Sequence, residues 1–143
     1  MKLKVFLHSE LAKLPKRVDE GAAGYDLTSI ENISIPPRSR SLISTGLSIQ
    51  LPLYSYGRIA PRSGLSVKGL DVGAGVIDES FRGIVKVLLI NNNDTVFVVN
   101  VGDRIAQLLV EPIYYPDVET VSSLEDLSST IRGDGGFGST GVN

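Results

Sequence analysis

The sequence predicts an all-β fold, a sandwich or barrel of many short strands. Three observations predict it. Runs rich in β-branched residues recur along the chain, as in Ile84-Val85-Lys86-Val87-Leu88-Leu89-Ile90. Fifteen glycines and seven prolines break the chain into short pieces with turn signals between them. Only one segment reads convincingly as a short helix. There Ser122 and Glu125 form a capping-box pattern, and Leu124 and Leu127 share a face.

Taken in order, residues 2–7 read as a first strand and residues 11–20 as a charged loop. Pro36-Pro37 and Pro52 mark turns. Between them, residues 42–51 form one or two strands interrupted at Gly46, and the later half alternates apolar and polar as a half-buried strand does. Residues 54–59 are another strand, and residues 65–68 can make a single helical turn. Residues 73–90 read as a hairpin whose turn holds Asp78 and Phe81. Residues 95–99 and 104–115 complete the strands. Residues 132–141 are different: five of ten are glycine and Phe137 is the only ring. Such a segment buries too little to order itself, so 131–143 are expected to be a mobile Gly-rich arm on a single domain of 143 residues. A domain of this length buries roughly 68–70% of its unfolded surface, so its core needs no staples.

Bulk properties exclude several functions. Fourteen basic and 16 acidic residues leave a net charge of −2, which argues against a nucleic-acid backbone binder. There is no cysteine and one histidine, His8, so disulfides, thiol catalysis and histidine-rich zinc sites are out. The charged N-terminus does not fit a signal peptide. No apolar run approaches the ~18–20 residues of a membrane span. A soluble, unsecreted protein is expected, cytoplasmic or in the nucleus or a virus-infected host cell, with no membrane or nucleic-acid partner. Gly133, Gly135 and Gly138 match the dinucleotide-binding glycine pattern, but the chain ends at Asn143 with no room for the required helix.

Chemistry concentrates in two stretches. Gly73-Ala74-Gly75-Val76-Ile77-Asp78-Glu79-Ser80-Phe81-Arg82-Gly83 places a carboxylate and a ring among glycines, which let backbone approach a ligand closely. This suits a planar ligand read by peptide groups, although an ordinary hairpin with an acidic turn also fits. Just upstream, Pro61-Arg62-Ser63-Gly64 offers a guanidinium and a hydroxyl to phosphate oxygens.

Five blocks together resemble the five motifs of the trimeric dUTPase family, in the family's order and spacing. They are Ala23-Gly24-Tyr25-Asp26-Leu27, Pro61-Arg62-Ser63-Gly64, Gly75-Val76-Ile77-Asp78 through Gly83, Gly102-Asp103-Arg104-Ile105-Ala106-Gln107-Leu108, and Arg132 through Gly141. The resemblance implies a jelly-roll-like β fold and hydrolysis of dUTP to dUMP and diphosphate with Mg²⁺ on the triphosphate. It implies that Asp78 orients the attacking water and that Arg62, Ser63, Gly64 and Gln107 bind phosphates. Gly75, Val76 and Ile77, with Lys86 opposite, would read uracil. From the arm, Arg132, Gly138, Ser139 and Thr140 would close on the phosphates, and Phe137 would stack on the base. Asp26 matches the carboxylate near the metal, acting through water, with a structural turn residue as the other reading. Arg104 is expected to be structural, paired with carboxylates. The resemblance further implies a homotrimer with sites between subunits and an arm reaching a neighbour's pocket.

Phe81 departs from the family's usual tyrosine. It keeps the ring face expected under the deoxyribose and loses the phenol. Ser80 stands where the family often has aspartate, and Ile84 where a polar residue is common. Two other readings compete. The related dCTP deaminases need a glutamate beside or two residues before the glycine matched by Gly83, whereas Arg82 precedes it here and Glu79 lies four residues back. A non-catalytic β-sandwich would not need Arg62, Asp78, Gln107 and Arg132 together.

Overall fold

The computed structural model describes residues 1–142. Its order is β1 (Lys4–Leu7), β2 (Tyr25–Thr28), β3 (Ile33–Ile35), β4 (Ser39–Gln50), β5 (Ser55–Ala60), α1 (Ser63–Val67), β6 (Leu70–Gly73), β7 (Val76–Ile77), β8 (Val85–Asn91), β9 (Phe97–Val99) and β10 (Arg104–Pro112), followed by a 3₁₀ turn at Leu124–Asp126. The strands form two four-stranded antiparallel sheets, ordered β1-β4-β8-β6 and β2-β10-β5-β7, and a two-stranded β3-β9 ladder. The all-β expectation holds. No described helix is long and apolar enough to cross a membrane.

The core follows from strand alternation. In β8, Val85, Val87, Leu89 and Asn91 are buried while the residues between them are not. Ile43 and Leu47 of the first sheet, and Leu27, Ile59, Ile77, Ile105 and Leu108 of the second, join them in one apolar cluster. Asn91 sits fully buried at the end of that row. Its Nδ2 donates to the carbonyls of Ile35, Pro36 and Thr95 at 3.1, 3.1 and 2.8 Å, and its Oδ1 accepts from Asn93 N at 3.0 Å. The amide thus ties the β3–β4 connection to the β8–β9 turn.

Several expectations change. The strand over 42–51 starts earlier, at Ser39, and Gly46 does not divide it. Gly46 (φ 68°) forms a bulge between Ser44 and Leu47, where the Thr45 hydroxyl donates to Val85 O at 2.7 Å. The helix expected from Ser122 is one 3₁₀ turn capped by Ser123, and Leu124 and Leu127 are both exposed. With no apolar face to bury, the capping signal sustains a single turn. The hairpin over 73–90 is paired only at its open end, where Gly73 of β6 lies opposite Leu88 of β8; beyond that point β7 leaves to pair with β5, while β8 stays with β4. The short strands β2, β3 and β6, of four residues or fewer, carry too little periodicity to stand out in sequence.

Replacing Asn91 by leucine should destabilise the fold by about 1–3 kcal/mol for each buried carbonyl left without a donor. Thermal unfolding checks this, and an unchanged midpoint would mean that the three carbonyls find other partners.

Candidate active site

The splaying of β7 from β8 creates the first cleft. The two-residue connection before β7 has positive φ at both Ala74 (53°) and Gly75 (104°). Ile59 N donates to Gly75 O at 2.7 Å, drawing this connection onto the second sheet. A Cβ on Gly75 would lie 2.6 Å from Ile59 O, so both the φ and the close approach require glycine. β8 meanwhile stays with the first sheet. β6 ends opposite Leu88, so the backbone of Val85–Val87 on that side is unpaired, and β7 is the edge strand of its own sheet. Gly75, Val76, Ile77 and Asp78 contribute to one side of a cleft of about 280 Å³, and Ile84, Val85 and Lys86 to the other.

At the end of this cleft Phe81 N donates to Asp78 O at 3.0 Å, closing a turn that holds carboxylate and ring together. The Phe81 ring lies against Gly83, where an added Cβ would meet ring Cζ at 2.7 Å. Arg82 donates to the carbonyls of Glu79 and Phe81 at 2.7 and 2.8 Å, and the Ser48 hydroxyl reaches Arg82 O at 2.9 Å. The turn is therefore wired internally and anchored to β4. The Asp78 carboxylate is exposed to solvent.

A second cleft of about 250 Å³ collects Gly24, Asp26, Arg62, Ser63, Gly64, Arg104 and Gln107. Strand register explains the gathering, because Gln107 on β10 lies opposite Asp26 on β2 and Ala60 on β5. Asp26 takes Arg62 Nε on one oxygen and Arg104 Nη1 on the other, each at 3.2 Å. Arg104 thus has the carboxylate partner expected of it. Gln107 Nε2 donates to Pro61 O at 2.9 Å, and a Cβ on Gly24 would lie 2.1 Å from Gln107 Oε1, so Gly24 makes room for that amide. Ser63 and Gly64 open α1, where first-turn amides have no partner within the helix. Two guanidiniums against one carboxylate leave one net positive charge. Such an arrangement suits an anionic ligand.

The two clefts share no lining residue. Nor does the arm join them within the chain. Its hydrogen bonds are local, from Arg132 Nε to Gly135 O at 2.7 Å and from Gly133 N to Thr130 Oγ1 at 3.1 Å. Phe137 is fully exposed at φ 49°, and Gly138, Ser139 and Thr140 line neither cleft. The sequence reading overlooked a third feature, an open cleft of about 680 Å³ where Tyr54, Tyr56, Glu79 and Tyr115 meet beside Asp78. The paired tyrosines at 54 and 56 and at 114 and 115 were the signal for it. In this cleft burial, and then the Glu79 carboxylate, push the Tyr115 phenol above its ordinary range.

Comparison with known proteins agrees with the motif pattern. The family model described as dUTPase matches residues 10–141. The deoxyuridine 5'-triphosphate nucleotidohydrolase of Monkeypox virus is 59% identical over 131 residues, 92% of this chain and 85% of that protein. The enzyme of that name from Vaccinia virus (strain Copenhagen) is also 59% identical, covering 92% and 87%. Among solved structures, Staphylococcus bacteriophage 80alpha dUTPase with dUPNHPP superposes with a TM-score of 0.91 at 30% identity, covering 99% of each chain. A phage phi11 dUTPase variant, described with a structural Mg(II) ion, gives 0.82 at 28% identity, covering 87% of this chain and 99% of that one.

Gly24→Ala should displace Gln107 and remove about one hydrogen bond's worth of anion affinity, roughly 1 kcal/mol or fivefold. Calorimetric titration with inorganic diphosphate reads this. Unchanged affinity would show that Gln107 is not held in place through Gly24.

Proposed function

The chain belongs to the dUTPase family and is a dUTP diphosphatase, and from that premise we propose how its residues divide the work. Water attacks the α-phosphorus, the bond to the bridging oxygen breaks, and diphosphate leaves with dUMP remaining. Asp78 accepts a hydrogen bond from that water, aims its oxygen and takes up its proton. The observation that carries this reading is the exposed Asp78 carboxylate at the end of a cleft flanked by two unpaired backbone edges. A positioned base of this kind is worth about 10²–10⁴-fold in rate.

The open edges at Gly75–Ile77 and around Lys86 suit uracil, which offers two carbonyls and one N–H. Cytosine reverses part of that pattern and would leave buried groups unpaired, at about 1–3 kcal/mol each. Phe81 places a ring face under the deoxyribose, so exclusion of a 2′-hydroxyl is steric and survives loss of the phenol. Arg62, Ser63, Gly64 and Gln107 hold the phosphates.

Mg²⁺ fits as a companion of the triphosphate. Among the described residues no group of three His, Cys, Asp or Glu side chains stands ready to cage a metal. Asp26, the one carboxylate of the phosphate cleft, already engages an arginine on each oxygen. That donor set suits a hydrated ion carried by substrate phosphates and reaching Asp26 through water. Bound there, the ion neutralises phosphate charge.

The separation of the two clefts supports a homotrimer in which one subunit offers the base cleft and a neighbour the phosphate cleft. Beyond Ile113, residues 114–121 leave β10 outside any strand ladder, exposing Tyr114, Tyr115 and Val118. From there to Ile131 the chain can span on the order of 50 Å. A flexible arm can therefore bring Arg132, Phe137, Gly138, Ser139 and Thr140 to a neighbour's nucleotide. In the cell the reaction keeps uracil out of DNA and supplies dUMP for thymidylate synthesis.

With dUTP and Mg²⁺ the protein should release diphosphate, with dCTP, dTTP and UTP as poor substrates. Asp78→Asn should bind nucleotide normally and lose about 10²-fold or more in kcat; near-normal turnover would remove Asp78 from the role. Deleting residues 132–143 should leave the trimer intact in sedimentation and lower turnover about as severely. A monomeric, fully active protein would sink the shared-site reading.

A further inference from the structure

The cleft beside Asp78 is organised by a carboxylate with no part in the chemistry described so far. Glu79 Oε2 accepts from Tyr54 N at 2.9 Å and from the Tyr115 hydroxyl at 3.2 Å. Tyr54 in turn accepts from Ile113 N at 2.9 Å, and its ring lies 6.4 Å from that of Tyr115. Tyr54 also carries a φ of 58°, a conformation a tyrosine keeps only where its surroundings hold it. Three segments therefore meet at one carboxylate: the turn before β5, the Asp78 turn, and the chain leaving β10 toward the arm. Among the described residues no hydrogen bond reaches the Asp78 carboxylate itself, so its position is inherited from the backbone of its turn.

We propose that Glu79 is a positioning residue for dUTP hydrolysis, tying the turn that bears Asp78 to Tyr54 and to the root of the C-terminal segment. The inference rests on the role given above to Asp78. Glu79 is the next residue in the chain, so loss of its two hydrogen bonds frees the turn on the side away from β4. Bonds to a carboxylate are stronger than neutral ones, which makes it an effective anchor. The raised Tyr115 phenol remains a protonated donor at neutral pH. Of the residues given substrate contacts above, only Val76 also borders this cleft, so the effect falls on turnover more than on binding.

The test compares Asp78→Asn, Glu79→Ala, Glu79→Gln and Tyr115→Phe in the full chain, reading kcat, KM for dUTP and thermal stability. Glu79→Ala should lower kcat about tenfold or more and move KM by less than about threefold, because small misplacements of a reacting group are costly. Glu79→Gln keeps an oxygen able to accept both donors and should restore kcat to within about threefold. Tyr115→Phe should slow turnover by about threefold and add nothing to Glu79→Ala, as expected of two partners in one contact. Normal kcat in Glu79→Ala with an inactive Asp78→Asn overturns the inference and leaves the role of Asp78 standing. A merely lowered melting point at unchanged kcat does the same, as does Glu79→Gln as slow as Glu79→Ala. If Glu79→Ala does not fold, unchanged kcat in Tyr115→Phe overturns it. Near-normal turnover of Asp78→Asn overturns both readings.

Discussion

One backbone hydrogen bond, from Ile59 N to Gly75 O at 2.7 Å, decides where the cleft between β7 and β8 lies. Without it, Val76 and Ile77 would be free to continue the β6–β8 pairing past Gly73 and Leu88 as a plain hairpin. With it, the first arm is committed to β5 and the second to β4, so the edges that would have satisfied each other remain open. Unpaired backbone polar groups are costly unless something pairs with them. A planar ligand with alternating donors and acceptors is one such partner. Gly75 is the residue that allows this, because any side chain there would collide with Ile59 O.

The phosphate cleft obeys a different constraint. Arg62 and Arg104 would repel each other if brought together alone. Asp26 stands between them and gives each guanidinium one oxygen at 3.2 Å. Both side chains of the Arg62–Asp26 pair are more than two-thirds covered, so their attraction is screened less than that of a surface pair. The residual charge remains positive, and the two guanidiniums are held in place before any anion arrives. Asp26 thus sets arginine geometry whether or not hydrated Mg²⁺ also reaches it. Both clefts hang on the sheet β2-β10-β5-β7, one at its centre and one at its β7 edge.

Much was legible in the chain itself. The all-β class and most strand positions came from residue types and local periodicity, within a few residues of where the structure has them, and the five motif blocks from their resemblance to the family. The turn holding Asp78 and Phe81 is where the residues put it, whereas the helical turn read over 65–68 starts two residues earlier, at Ser63. Glu79 and its tyrosine partners were not found. Their link spans 25 and 36 residues of sequence, and a glutamate next to Asp78 carries no local mark of its partners.

The sequence by itself determined the chemical inventory and the local geometry. A glycine able to take φ 104°, a turn closed at Asp78 and Phe81, and a short helix opening at Ser63 are written in neighbouring residues. Only the tertiary structure decided which strand each edge joins. Pairing of β7 with β5 rather than β8 is a competition between contacts distant in the chain, settled by the shared core of Ile59, Ile77, Val85 and Leu108. Local propensity is the same for either partner, so that choice, and the cleft it opens, depends on packing.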